Sequence, residues 1–287
     1  MTQEITHPDK LLWPADGFTK KDLIDYYQAA APLILKELED RLLTLVRAPD
    51  GVGGQTFFQK NAPKYTPEWI RTVTVPAPSA KREVSYLVCE SAETLTWIGN
   101  QAGLELHPNL DRASKPGYPD LLVFDMDPPE GRFDLAAEAA LVVRDLLREL
   151  GLEPSVKTTG GKGLHVYLRI ERRNRFGAVH EFAYKVGQRA VAAAENLMSL
   201  EFKKKDRGGR VFVDVHRNGP GATIVAPFSP RARAGAHVSF PVGWDGVPKT
   251  DPGDFNLATA AALLDSRPVK EWKAKLKEKQ RLPLRRV

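Results

Sequence analysis

The sequence predicts a mixed α/β fold, and three observations carry that expectation. Through the centre of the chain the apolar spacing switches between a period of two and a period near 3.6. Glycine, proline and short polar clusters mark the boundaries between those runs. The composition over 287 residues, 42% hydrophobic and 27% charged, is that of a chain able to enclose a core, not of a disordered one.

Thr19 followed by Asp22 predicts a capped helix start, and Leu23, Ile24, Tyr27, Ala30, Ala31, Ile34, Leu35 and Leu38 continue it at helical spacing, with a kink expected at Pro32. A glycine-rich loop, PDGVGG, leads into QTFFQKNAPKY. Residues 83–90 and 94–99 then read as two strands joined by a polar turn. LLVFDMD predicts a strand that stops at Pro128 and Pro129. Asp134 is expected to cap a helix with an apolar face of Leu135, Ala139, Val142, Val143, Leu146 and Leu150, ended by Gly151. PSVKTTGGKGLHVYLRI reads as strand, glycine turn, strand; a helix is expected over 176–200 and a strand over 210–216. There is no fixed-period repeat and no linker signal before about residue 265. The expected organisation is one domain over 1–266, with an N-terminal and a catalytic lobe, followed by a basic tail or helix over 267–287.

Several classes are excluded. No apolar run approaches the roughly 18–20 residues that span a bilayer, and MTQEITHPDK has no apolar signal core. One cysteine, Cys89, forbids an internal disulfide and a cysteine-cluster zinc site, so a reducing cytoplasm is the expected compartment. The net charge of +6 is localised: residues 267–287 hold nine basic and two acidic side chains, leaving the rest of the chain at −1. Such a tail fits nucleic acid, and equally a solvated helix or linker.

Side chains alternate along a strand, so Asp125 and Asp127 share a face opposite Phe124 and Met126. Two carboxylates so placed repel unless a cation joins them or one stays protonated. Phe212, Asp214 and His216 share a face of the later strand. Oxygen-only ligation by aspartates suits Mg²⁺ or Mn²⁺, and three carboxylates suit a two-metal phosphoryl-transfer site. The other reading of a bare D-x-D is a pair of turn caps. In TTGGKGLH, three glycines expose amides beside Lys162, which fits a phosphate, although Gly163 after the lysine and the following strand exclude a Walker A loop. Such a turn is expected to set Thr159, Lys162 and His165 on one polar surface; an ordinary glycine hairpin is the alternative.

Taken together, HPDKLLWP, TFFQKNAP, LELHP, LVFDMDPPEG, TTGGKGLHVY, GRVFVDVHRN and ATIVAPFSPRAR occur in an order that resembles the polymerase domain of bacterial end-joining DNA ligase D, in the archaeo-eukaryotic primase superfamily. The resemblance covers residues 5–265. It implies a primase-polymerase fold with largely antiparallel central sheets flanked by helices. It also implies a template-dependent nucleotidyltransferase that fills gaps and extends ends in non-homologous end joining, preferring ribonucleotides. By position, Asp125, Asp127 and Asp214 correspond to catalytic, metal-binding carboxylates for two Mn²⁺ or Mg²⁺ ions. Thr159, where the family usually has Ser, together with Lys162, His165, Arg207 and Arg231, corresponds to the nucleotide pocket. Lys10 and Lys20 correspond to the grip on a downstream 5′-phosphate, with His7 where the family often has Asn. Phe57, Phe58, Lys60 and His107 correspond to template and primer contacts, simple core packing being the other reading of one phenylalanine. The implied partners are DNA with a double-strand break, gap or 3′ overhang, NTP or dNTP, Ku and an ATP-dependent DNA ligase, and no membrane. The implied location is the cytoplasm, in association with the nucleoid. The alternatives are a primase that starts strands de novo and a non-catalytic DNA-end binding module.

Overall fold

A computed structural model describes residues 4–77 and 82–287. The chain is α/β with mainly antiparallel sheets, and it folds as two compact units. The first comprises Met1–Ser114, Thr223–Ser239 and Phe255–Leu264; the second comprises Lys115–Ala222, Phe240–Asp254 and Asp265–Val287. The C-terminal stretch, set apart by charge in the sequence, thus belongs to the second unit.

In the first unit Leu43–Arg47 is the hub of a five-stranded antiparallel sheet. It pairs with Phe57–Gln59, Arg82–Leu87 and Gly103–Pro108, and Thr72–Ala77 extends the sheet beyond Arg82–Leu87. Helix Lys20–Leu38 starts as expected: Thr19 and Asp22 form a reciprocal capping box, worth about 1 kcal/mol. The helix runs through Pro32 and buries Leu23, Ile24, Tyr27 and Ile34. Residues 94–99, expected as a strand, lie instead in the helix Ala92–Asn100. The Ser91 hydroxyl accepts from the Thr94 amide and Glu93 sits in the first turn, so the cap decides against the β-propensity of Thr94, Thr96, Trp97 and Ile98. The expected strand over 83–90 is observed as Arg82–Leu87.

The second unit is built on a six-stranded sheet. In spatial order its strands are Met198–Ser199, Val211–Asp214, Leu121–Asp127, Leu164–Arg169, Ser155–Thr158 and Pro241–Val242, and only the first pair is parallel. Helices Phe133–Glu149 and Phe176–Ala193 cover the apolar face, where Leu122, Phe124, Met126, Leu164, Val166, Leu168, Val143 and Val186 form one core. Each such side chain stabilises the fold by roughly 1.5–3 kcal/mol. Their alternation fixes the register: a slip of one residue would drive Asp125 and Asp127 into that core.

Three boundaries differ from expectation. Arg132, not Asp134, is the N-cap of helix Phe133–Glu149, because Asp134 turns back to pair with the Arg132 guanidinium at 2.7 Å. The helix expected over 176–200 ends at Ala193, and a short strand, Met198–Ser199, follows it. The strand expected over 210–216 ends at Asp214, whose carboxylate accepts the His216 amide at 2.9 Å and turns the chain into a 3₁₀ helix, His216–Asn218. His216 therefore leaves the face shared by Phe212 and Asp214. Gly151 ends its helix as expected, at φ +79°.

The C-terminal residues are docked on this unit. Trp272 of helix Arg267–Ala274 is buried, Gln280 pairs with Ile170, and Leu282 enters the core. Among the described residues no helix is long and apolar enough to cross a membrane.

Candidate active site

Cross-strand partners project to the same side of a sheet. In the second unit Asp214 lies opposite Asp125, Asp125 opposite His165, and His165 opposite Lys157. Four neighbouring strands therefore contribute one transverse row of charge-bearing side chains: Lys157, His165, Asp125, Asp214. It lies on the face away from the Phe124 and Met126 core. Asp127 follows two residues along the same face.

The row is electrostatically matched. His165 Nε2 is 3.5 Å from Asp125 Oδ1, and the Arg217 guanidinium lies 3.6 Å from Asp125 and 3.2 Å from Asp214. Burial works to raise the Asp125 carboxyl, but His165, Arg217 and Lys157 more than offset it and hold the group below the ordinary carboxylate value. Asp214 moves the other way. Burial raises it, the Asp125 charge adds to that rise, and Arg217 only partly opposes them. Two neighbouring carboxylates with opposed shifts mark a place where additional positive charge is favourable.

Asp127 is held by two cations. Lys162 Nζ lies 2.8 Å from Oδ1 and also donates to the Pro128 carbonyl, and Arg207 donates to Oδ2 at 3.2 Å. Arg207 is itself fixed, its guanidinium lying over the Phe212 ring at 4.0 Å and donating to the Phe202 carbonyl. The glycine turn delivers Lys162. Thr159 spends its hydroxyl on that turn, accepting from the Gly161 and Gly163 amides and donating to the Gly163 carbonyl. Gly160 takes φ +64°, and a Cβ on Gly163 would collide with the Met126 carbonyl oxygen, so neither position readily accepts a side chain. The expected polar surface is therefore divided in its roles: Lys162 reaches Asp127, His165 reaches Asp125, and Thr159 shapes the loop between them.

Carboxylate oxygens backed by strands suit a hard divalent cation, and the Asp125–Asp214 pair fits one in chemistry and in face. Among the described residues no group of three or more His, Cys, Asp or Glu side chains is gathered about a single point. Asp127 stands on Lys162 and Arg207 instead of closing a triad with the pair. Arg217 and Lys157 are the participants that the sequence reading missed. Arg217 lies three residues beyond Asp214 and Lys157 shares a strand face with Ser155, signals that become specific only once the pairing is known.

The remaining expected residues lie in the first unit, in two groups. Glu105 joins the first. Its carboxylate meets His107 Nε2 at 2.7 Å and the Arg231 guanidinium at 3.0 Å, and accepts the Ala232 amide at 2.8 Å. Although burial works to raise it, the His107 hydrogen bond, the Arg231 charge and the amide hold Glu105 down to about 2. Phe58 stands edge-on to His107 with ring centres 5.9 Å apart. Both phenylalanines are exposed, Phe57 38% and Phe58 68%, so neither is a core residue; Lys60 is exposed as well. Glu105 was not anticipated, though in LELHP it shares a strand face with His107 and alternates with Leu104 and Leu106.

The second group lines a cavity of about 260 Å³ that brings together His7, Lys10 and Lys20 and adds Arg47 and Asn100. Lys20 is 6% exposed and donates to the Thr6 carbonyl at 2.6 Å; burial first, and then the Lys10 charge, lowers its pKa. Lys10 is exposed and reaches Asp50 at 3.4 Å. His7 takes φ +48°, left-handed backbone that Asn and His tolerate better than most residues.

Against protein families, residues 19–272 match the LigD primase-polymerase domain. The chain is 37% identical over 249 residues to the multifunctional non-homologous end joining DNA repair protein LigD of Mycobacterium tuberculosis, and 36% identical over 245 residues to LigD of Pseudomonas aeruginosa. Those matches take in 84% and 83% of this chain but only 32% and 28% of the relatives' length. Among solved structures, the polymerase domain from Mycobacterium tuberculosis ligase D in complex with DNA superposes with a TM-score of 0.87 at 34% identity, covering 93% of this chain and 96% of that one. The chain belongs to the LigD primase-polymerase domain family, a family of nucleotidyltransferases.

Proposed function

We propose that this chain is a template-directed polymerase that adds nucleotides at gaps and broken DNA ends in non-homologous end joining. The observation that carries the reading is the transverse row of Lys157, His165, Asp125 and Asp214, with Lys162 and Arg207 on the adjoining Asp127. It combines hard-cation ligands with cations suited to a triphosphate.

In the proposed reaction a primer 3′-oxygen forms a bond to the α-phosphorus of an incoming nucleotide. The α–β phosphoanhydride breaks, pyrophosphate leaves, and the hydroxyl proton passes to solvent or a nearby base. Asp125 and Asp214, with Asp127, would hold Mg²⁺ or Mn²⁺; when bound, these ions supply Lewis-acid charge beside the hydroxyl and the phosphates. Lys162 and Arg207 exchange Asp127 for the β- and γ-phosphates, and His165 keeps Asp125 ionised and oriented. The family resemblance alone assigns Arg231 of the first unit to the nucleotide as well. Phe57 and Phe58 offer faces on which template bases stack, with Lys60 and His107 as template and primer contacts.

The Lys10–Lys20 cavity is assigned to the 5′-phosphate of the downstream strand. A terminal phosphate carries more charge than an internal phosphodiester, and two convergent lysines discriminate on that difference. Ribonucleotide preference, and Ku and an ATP-dependent ligase as partners, are the finer parts of this proposal and come from the family resemblance.

The test is single-nucleotide addition to a gapped duplex, comparing NTP with dNTP, Mn²⁺ with Mg²⁺, and a phosphorylated with an unphosphorylated gap. Template-matched addition dependent on a divalent ion and enhanced by the 5′-phosphate is the expected result. Robust synthesis without a primer and none at the gap would favour a primase. Unchanged activity in Asp127→Ala would remove the catalytic reading altogether.

A further inference from the structure

Away from the carboxylate row, the second unit holds an open cavity of about 680 Å³ lined by Arg173, Arg281, Arg285 and Arg286, with Glu171 and Asn174 among its other residues. Glu171 is the lining's only acid, and it pairs with Arg173 at 3.4 Å. Among the described residues, Arg281, Arg285 and Arg286 have no ion-pair partner.

These guanidiniums sit on a fixed frame, not on a floating tail. The Gln280 amide donates to the Arg169 carbonyl, and its carbonyl accepts from the Glu171 amide. Its side chain accepts from the Glu153 amide and donates to the Glu153 carbonyl. Leu282 is buried in the core, and the Arg286 amide closes a turn on the Pro283 carbonyl at 2.9 Å. A frame of this kind reduces the entropy lost when arginines gather on an anion. The lining contains no aromatic side chain, so nothing there stacks a base. Guanidiniums recognise phosphate oxygens through paired hydrogen bonds.

We infer that this cavity is a second nucleic-acid contact, binding the phosphodiester backbone of duplex DNA away from its end. The inference rests on the reading of the chain as a DNA-end polymerase, but its test uses a substrate without ends. Binding of a covalently closed circular duplex is measured against salt for the wild type and for a triple variant, Arg281→Ala, Arg285→Ala, Arg286→Ala, with the corresponding triple lysine variant as a charge-retaining control. The alanine variant should lose affinity about tenfold, and its log K against log salt slope should fall by about 0.9 for each phosphate contact removed. The lysine variant should keep most of the slope, and nucleotide addition at a saturated gap should be unchanged in both.

An alanine variant with the wild-type slope overturns the inference. So does binding of inorganic tripolyphosphate or poly-glutamate at the cavity without any effect of the variant on the circle, since that assigns the arginines to another anion. A wild type that binds the circle through these arginines but adds no nucleotide at a gap instead overturns the proposed function and leaves this contact standing.

Discussion

At Glu105 one buried carboxylate fixes two side chains, His107 and Arg231. Glu105→Gln keeps the shape and removes the charge, and should raise the KM for the incoming nucleotide several-fold with a smaller change in kcat. A charge-assisted contact of this kind contributes about 1.5–3 kcal/mol. The pH dependence follows from the depressed pKa. Relative to the ordinary value of 4.5, the carboxylate contributes stability that is fully present above about pH 4.5 and is lost as pH falls towards about 2. Melting curves of the wild type and Glu105→Gln should therefore converge across that window; a constant gap would place the stabilisation elsewhere. At Gly163 the argument is steric. Gly163→Ala drives a methyl into the Met126 carbonyl and should cost about 1–3 kcal/mol or more, read as a lower denaturation midpoint. Such residues are legible in the sequence only in part. Asp125, Asp127 and Lys162 follow from alternation and the glycine turn, whereas Glu105 owes its role to Arg231 as much as to His107 on its own strand, and Arg217 and Lys157 acquire meaning only from partners across a turn or on neighbouring strands.

At the scale of elements, local caps decide several boundaries. Ser91→Ala removes the hydroxyl that starts helix Ala92–Asn100 and should destabilise the protein by about 1 kcal/mol, measurable by urea denaturation. That cap also explains why the strand expected at 94–99 is a helix. The run is rich in β-branched and aromatic residues and too short for a helical period to declare itself, so the start signal outweighs the pattern. The opposite case is LLVFDMD, where period-two alternation, an apolar face and a Pro-Pro exit agree, and the observed strand Leu121–Asp127 coincides with the expected one. The Asp214 strand falls between these cases. Its interior was readable, but its last turn depends on a side chain accepting a backbone amide, and alternation carries no information on that.

At the scale of the molecule, charge has sorted itself by task. The carboxylate row of the second unit carries its own compensating cations, the Lys10–Lys20 cavity of the first unit is basic, and the arginines of the C-terminal stretch line a separate cavity. The net charge of +6 and its concentration after residue 266 were plain in the sequence. That this stretch is pinned by Gln280 and Leu282 was not, because docking depends on a groove made by distant strands. Charge removal in the Lys10–Lys20 cavity gives a prediction at this scale. Lys10→Ala with Lys20→Ala should lower the preference for a 5′-phosphorylated gap about tenfold and leave extension of a simple primer largely intact. Equal preference before and after the change would refute the assignment.

In the proposed reaction the paired Asp125 and Asp214, with Asp127 beside them, create the demand for divalent cations on which nucleotide addition depends. Mn²⁺ binding by calorimetry, in the presence of a non-hydrolysable nucleotide, tests it most directly in the wild type, Asp125→Asn and Asp214→Asn. Saturable binding by the wild type and at least tenfold weaker binding by each variant, with melting temperatures preserved, is the expected result. Undiminished Mn²⁺ binding by both variants would contradict it.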